Sequence, residues 1–165
     1  MPTTLRDLFL DALRDAYSTE QLLLTALPEL AKAAKARELT AELKAQIATT
    51  QTQVGRLIKI FEDLGEAPEG KVSLPMEGLV TESQKLAQQG MAPDLLDAAL
   101  IASAHKIAHY EMAAYGSLCG YADALGEDEA AKALRASLDE EREFDAALSQ
   151  IAKSKVNPRA TQTAA

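Results

Sequence analysis

The feature that most constrains this chain is an acid set inside an otherwise apolar helical stripe. Around residues 98–125, extended one turn back, positions 96, 100, 104, 107, 111, 115, 118, 122 and 125 recur at helical spacing. All are apolar or aromatic except Glu111. The run holds no proline, and its glycines, Gly116 and Gly120, are isolated, so one long helix is predicted. A carboxylate on the buried face of an amphipathic helix is costly unless something pairs with it. The other helices must therefore bring partners to Glu111.

Taken in order, the chain offers three more long helices. Thr4 is the predicted N-cap of the first, with Asp7 in a capping-box position, and the helix runs to about residue 34. Its stripe reads Leu5, Phe9, Leu13, Tyr17, Glu20, Leu24, Leu27, Ala31, so Glu20 again interrupts an apolar seam. Asp15 lies off that stripe and is expected to be solvated, and Pro28 is expected to kink or restart the helix. The second helix covers about residues 40–64, with Leu39, Leu43, Ile47, Thr50, Val54, Leu57, Phe61 and Leu64 facing inward. Its middle, Gln46-Ile47-Ala48-Thr49-Thr50-Gln51-Thr52-Gln53, is polar but uncharged, with Thr50 on the inward stripe and Gln51 at its edge. The last helix follows Gly126 and carries Ala131, Leu134, Leu138, Glu141, Asp145, Leu148 and Ala152, two acids one turn apart on one seam.

Connection lengths then set the architecture. The first two helices are joined by a short polar link at 35–38, and the last two by Gly126. Between the pairs, Gly65-Glu66-Ala67-Pro68-Glu69-Gly70 breaks the helix and opens a long crossover to residue 92, with a short helix predicted over 76–88. Two hairpins with one long crossover give an all-α, ferritin-like four-helix bundle with a short extra helix. The bundle is assigned to residues 1–155, and residues 156–165 are expected to form a disordered tail. A composition of 47% hydrophobic but only 4% aromatic residues, without Trp, suits close-packed helices better than a β-sandwich.

A net charge of −8 argues against nucleic acid and anionic membranes as partners. No apolar run reaches the roughly 20 residues of a membrane span. Cys119 is the single cysteine, which rules out an internal disulfide and makes a cytoplasmic setting the expectation. It reads as a small half-buried side chain rather than a reactive thiol.

Glu20, Glu111, Glu141 and Asp145 each fall mid-helix on an inward stripe. Carboxylates converging in a bundle core cannot all ionise without a cation, because like charges repel strongly at low dielectric. Protons or a metal must neutralise them. Otherwise each acid finds its own hydrogen-bond partner among Tyr17, Tyr110, Tyr115 and Lys106. No Glu-x-x-His occurs anywhere in the chain. His105 and His109, the only histidines, share one helix face at a spacing that can chelate a transition metal. That face is rotated away from Glu111, and without further ligands the pair reads as partly exposed imidazoles or part of an interface.

The stretches Asp15-Ala16-Tyr17-Ser18-Thr19-Glu20-Gln21-Leu22, Ala26-Leu27-Pro28-Glu29-Leu30-Ala31, Met76-Glu77-Gly78-Leu79, Asp97-Ala98-Ala99-Leu100-Ile101 and His109-Tyr110-Glu111-Met112-Ala113-Ala114-Tyr115-Gly116 follow one another in a familiar order. Together they resemble the YciE/YciF family of bacterial stress proteins in the ferritin-like superfamily. The resemblance implies a four-helix bundle with an extra short helix, a homodimer, a stress-linked role and a di-metal site. Glu20, Glu111 and Glu141, with Asp145 one turn on, match its acids. Two departures bear on the metal. Where the family carries Glu-Glu-Thr-His this chain has Ala48-Thr49-Thr50-Gln51, and where it carries Glu before His-Tyr-Glu this chain has Ala108.

The expectation is thus a stress-associated protein with a degenerate carboxylate site. Its metal residues would be Glu20, Glu111, Glu141 and Asp145, with Gln51 replacing a lost ligand, and its metal iron, with manganese or zinc as substitutes. A metal-free structural or interaction protein on the same fold is the alternative. A small di-metal oxidase is the weakest reading, and the sequence assigns no catalytic residue.

Overall fold

Thr4 caps the first helix as its sequence predicts: its hydroxyl accepts from the Asp7 amide at 3.1 Å, and Asp7 Oδ2 accepts from the Thr4 amide at 3.0 Å. A computed structural model describes residues 1–162 of the chain. Helix α1 (Leu5–Ala33) runs on through Pro28 instead of restarting there. Pro28 lies on the exposed side, where the carbonyl it frees can meet water. Helix α2 (Arg37–Asp63) follows after three residues and has no side-chain cap of its own. Asp97, buried on another helix, supplies one. Its oxygens accept from the Lys35 and Ala36 amides at 2.7 and 2.6 Å. A carboxylate here satisfies orphan N–H groups and sits at the positive end of the helix dipole.

The crossover contains α3 (Leu74–Ala87), which packs on α1 and on the long helix that follows it and buries Met76 and Val80. Helix α4 (Pro93–Leu125) ends at Gly126, whose φ of 73° lies in the left-handed region that favours glycine at a helix C-terminus. Helix α5 (Asp128–Ile151) returns along α4. The two hairpins and the long crossover are those expected from the connection lengths, and no strand occurs among the described residues.

The expectation of a disordered tail from residue 156 needs correcting. A π-helical turn (Ala152–Val156) and a short helix α6 (Asn157–Ala160) continue from α5 and pack against α4. Val156 is buried in the apolar core, so the spacing Leu148, Ala152, Val156 extends the inward stripe by one turn. Two flanking lysines, Lys153 and Lys155, obscure that signal in the sequence. Residues 163–165 of the expected tail lie outside the described residues.

The core is divided. One apolar cluster joins Leu23–Ala36 of the first hairpin, Leu39 and Leu43 to Leu96–Ala108, Phe144 and Leu148. A second joins Phe9–Ala16, Leu57, Ile60 and Phe61 to Tyr115–Ala122 and Ala131–Leu138. Between them lies a polar layer to which every long helix contributes: Thr19 and Glu20 from α1, Gln46, Thr50 and Gln53 from α2, Glu111 from α4 and Glu141 from α5.

Candidate metal centre

The residues of this layer sit where helical spacing puts them. Glu20, Glu111 and Glu141 are 0%, 1% and 0% exposed. Helix α2 turns Gln46, Thr50 and Gln53 inward, alternating steps of four and three as packed bundle helices do. The stripe predicted for α2 followed apolar Ile47 and Val54 instead, and both are only half-buried. Gln51, expected to replace a lost ligand, is exposed on the outer side of α2 and is no part of the centre. The neutral residues that meet the acids are its neighbours on the inward register. The signal for them was present, since 39, 43, 46, 50, 53, 57 and 60 form an unbroken heptad-like series.

Each acid has a defined environment. The Tyr115 hydroxyl donates to Glu20 Oε1. Gln46 and Gln53 both donate through Nε2 to Glu141 Oε1, at 2.8 and 2.7 Å. Glu111 lies close enough to Glu20 and Glu141 for the charge of each to act on it. Two carboxylates can share a hydrogen bond only if one holds a proton, and burial favours that proton. Burial pushes Glu20 up to about 8, against the opposing hydrogen bond from Tyr115. It raises Glu111 well above the ordinary carboxyl range, with the charges of Glu141 and Glu20 adding to the effect. Burial raises Glu141 too, although both amide donors favour its ionised form. Tyr115 is also held well above its usual value by burial and the neighbouring acids, so it remains a donor.

Several oxygens are left over. Glu20 Oε2, both oxygens of Glu111, Glu141 Oε2, Gln53 Oε1 and Thr50 Oγ1 are buried without a hydrogen-bond partner. Buried polar atoms rarely stay unsatisfied, and a group of them in one layer calls for an ion, a proton or water. The set contains oxygen donors from all four helices and no nitrogen donor. Its all-oxygen chemistry is that of a hard divalent cation, although the three acids do not bring one oxygen each within 4.8 Å of one another, a spacing that among the described residues only His105, His109 and Asp145 reach. A pair of metals does not fit. The two-metal scheme needs a Glu from each of two helices and Glu-x-x-His from each of the other two. Here α2 brings only amides and a hydroxyl, two of its amide donors already occupy Glu141 Oε1, and buried Ala108 offers no ligand on α4.

Asp145, expected beside Glu141, is not in this layer. It is 24% exposed and contacts His105 and His109 across the α4–α5 groove. Of the hydrogen-bond partners considered for the acids, only Tyr115 serves one of the trio. Tyr110 donates to Asp15 Oδ2 at 2.5 Å, which makes Asp15 half-buried rather than fully solvated. Lys106 pairs with Glu82 at 2.7 Å, and Tyr17 packs edge-on against Phe61. Beside the layer, Arg56 and Glu140 form a two-pronged ion pair at 2.6 and 2.7 Å that ties α2 to α5. Cys119 is buried and free, and burial pushes its thiol up, as expected of an inert side chain.

Comparison with known proteins agrees with this architecture. Residues 4–161 match the family model described as a domain of unknown function, DUF892. Protein YciF of Escherichia coli strain K12 is 35% identical over 162 residues, which is 98% of this chain and 98% of its own. The crystal structure of the E. coli stress protein YciF superposes with a TM-score of 0.91 at 35% identity, covering 94% of this chain and 99% of that one. YcfI from Rhodopseudomonas palustris superposes with a TM-score of 0.87 at 36% identity, covering 89% of this chain and 94% of that one. The bundle is therefore ferritin-like, as its connectivity and motifs led us to expect. No helix among the described residues is long and apolar enough to cross a membrane.

Proposed function

The chain belongs to the DUF892 family, and from that premise we propose that it is a stress-associated ferritin-like protein whose core holds one divalent cation between Glu20, Glu111 and Glu141. The observation that carries this reading is the set of four carboxylate oxygens in the trio that are buried and unpartnered. A bound cation supplies the positive charge that lets three buried acids ionise together. The donor chemistry suits manganese, and iron is the metal that the family resemblance implies. Zinc, which prefers imidazole or thiolate, is the poorer fit in this layer. The stress-linked role rests on the likeness to the E. coli stress protein. A homodimer and a cytoplasmic setting belong to the same proposal, supported by the resemblance and by the lone buried cysteine.

The chain's own residues do the positioning. Gln46 and Gln53 fix one oxygen of Glu141, and Tyr115 fixes one oxygen of Glu20, which leaves the other oxygen of each free. The apolar clusters on both sides keep bulk water out.

A metal-free scaffold is the second reading, and one observation favours it. Tyr115, Gln46 and Gln53 already donate to the trio, so protons on two of the three acids can neutralise the layer and serve its remaining carboxylate oxygens without a metal. Thermal melting separates the two. If a cation binds only the folded chain, added Mn(II), or Fe(II) under anaerobic conditions, raises the melting temperature by mass action. Glu111→Gln abolishes that rise. In the metal-free reading wild type and Glu111→Gln respond alike to either ion.

A further inference from the structure

Asp145 departs from the core layer because it belongs to a second cluster. His105 and His109 lie one turn apart on α4, and Asp145 reaches them from α5. His105 Nδ1 is 2.6 Å and His109 Nε2 is 3.1 Å from the same oxygen, Asp145 Oδ1. The three ligand atoms all lie within 4.8 Å of one another. The cluster is open to solvent on one side, with His109 65% exposed and His105 and Asp145 27% and 24% exposed.

We propose that His105, His109 and Asp145 form a second, surface metal site that takes a borderline transition ion of the zinc class. This site stands apart from the core centre and does not depend on it. Two imidazole nitrogens and a carboxylate oxygen are the donor set that such ions prefer, whereas the core layer offers oxygen alone. Ligand atoms around a tetrahedral zinc lie roughly 3.3 Å apart, given zinc–ligand bonds of about 2.0–2.1 Å. The Asp145 contacts, at 2.6 and 3.1 Å, are a little shorter than that spacing, and partly exposed side chains can rotate to open them to it. Without a metal, each contact needs a proton on the ring nitrogen facing Asp145. A divalent ion takes the place of those protons. The sequence alone shows two ligands on one helix, and the packing of α5 on α4 supplies the third. Three protein ligands leave the fourth tetrahedral position to water or to an incoming ligand, as in sites that exchange what they hold.

The test uses the full chain without a histidine tag, stripped of metal, and titrated with Zn(II) against a chromophoric chelator. Wild type is expected to take up zinc at this site, and Co(II) in its place should give the visible absorption of a low-coordinate ion. Asp145→Asn and the double variant His105→Ala/His109→Ala should each weaken zinc by at least about 10–100-fold, the loss that even an outer-shell change can cause. All three positions are at least partly solvent-exposed, and circular dichroism of the variants checks that the bundle is intact. Glu111→Gln, which disables the core layer, should leave this zinc site unchanged. Equal zinc affinity in wild type and the double variant would overturn the proposal, and so would loss of zinc binding in Glu111→Gln.

Discussion

The Gln53 amide donates to Glu141 Oε1 at 2.7 Å, so α2 answers a buried carboxylate with a hydrogen-bond donor where a second acid would have made room for a second metal. Gln46 repeats the contact at 2.8 Å from about two turns earlier on the same helix face. These two amides do what a cation does elsewhere in such a layer: they stabilise negative charge on one oxygen. They leave too few anionic ligands on α2 for a pair of ions.

Gln53→Glu tests that relationship directly. The substitution keeps the side-chain volume, removes a donor from Glu141 and adds a fourth acid. Metal-stripped protein should lose about 1–3 kcal/mol at neutral pH, the cost of an unsatisfied buried group, with charge repulsion adding to it. Added Mn(II) should recover more melting temperature in the variant than in wild type. Urea denaturation with and without the ion measures both, and a variant that melts like its parent in both conditions contradicts the account.

The acid layer also sets a pH dependence. Glu20 titrates near its usual 4.5 when unfolded and at about 8 when folded. Between those values the folded chain holds a proton that the unfolded chain has released. The stabilisation is complete below about 4.5 and disappears as the pH rises through about 8. The raised values of Glu111 and Glu141 act with the same sign. Metal-stripped protein should thus lose several kcal/mol between about pH 5 and pH 8, at about 1.4 kcal/mol per pH unit for each group that stays protonated. Urea midpoints across that range provide the measurement. A flat or rising stability would mean that the acids are ionised and paired with something other than protons.

Glu111→Gln should reduce that slope. The amide has nearly the shape of the protonated acid, can donate to Glu20 or Glu141, and has no charge to suppress. At about pH 8 the variant should match or exceed wild type by about 1 kcal/mol, because replacing a buried ionisable group can be neutral or stabilising. A loss of several kcal/mol at that pH would show that Glu111 is held as a paired anion.

Some of this was legible in the sequence and some was not. The acids Glu20, Glu111 and Glu141 stand out because each breaks an apolar period at mid-helix, and the structure buries all three. The crossover and both hairpins follow from where glycine and proline fall. The α2 contribution was misplaced because its inward residues are polar. The eye follows Ile47 and Val54, whereas the packing register selects Gln46 and Gln53. Asp145 was misplaced because a position one turn from Glu141 sits at the edge of the buried face. Only the packing of α5 against α4 shows that a short acid there meets His105 and His109. In the sequence Asp97 reads only as part of the stretch Asp97-Ala98-Ala99-Leu100-Ile101. Its role as a cap for another helix has no local signature.

That role makes its own prediction. Asp97→Ala leaves the Lys35 and Ala36 amides without their acceptor at the start of α2. The loss should be about 2–4 kcal/mol, since two charge-assisted hydrogen bonds and a helix cap go together. Asp97→Asn keeps one acceptor and should lose less. Thermal melts rank the variants, and amide exchange should accelerate first at the α1–α2 junction. Equal stability of Asp97→Ala and wild type would mean that solvent serves those amides as well.

The most direct test of the central claim is a count of bound Mn(II) per chain by electron paramagnetic resonance, on metal-stripped protein at about pH 8. The His105→Ala/His109→Ala background removes the surface cluster from the count. One ion per chain, lost in Glu111→Gln, is the result the single-cation core predicts. Two ions per chain would mean that α2 supplies ligands beyond its amides, and none would leave the acid layer neutralised by protons alone.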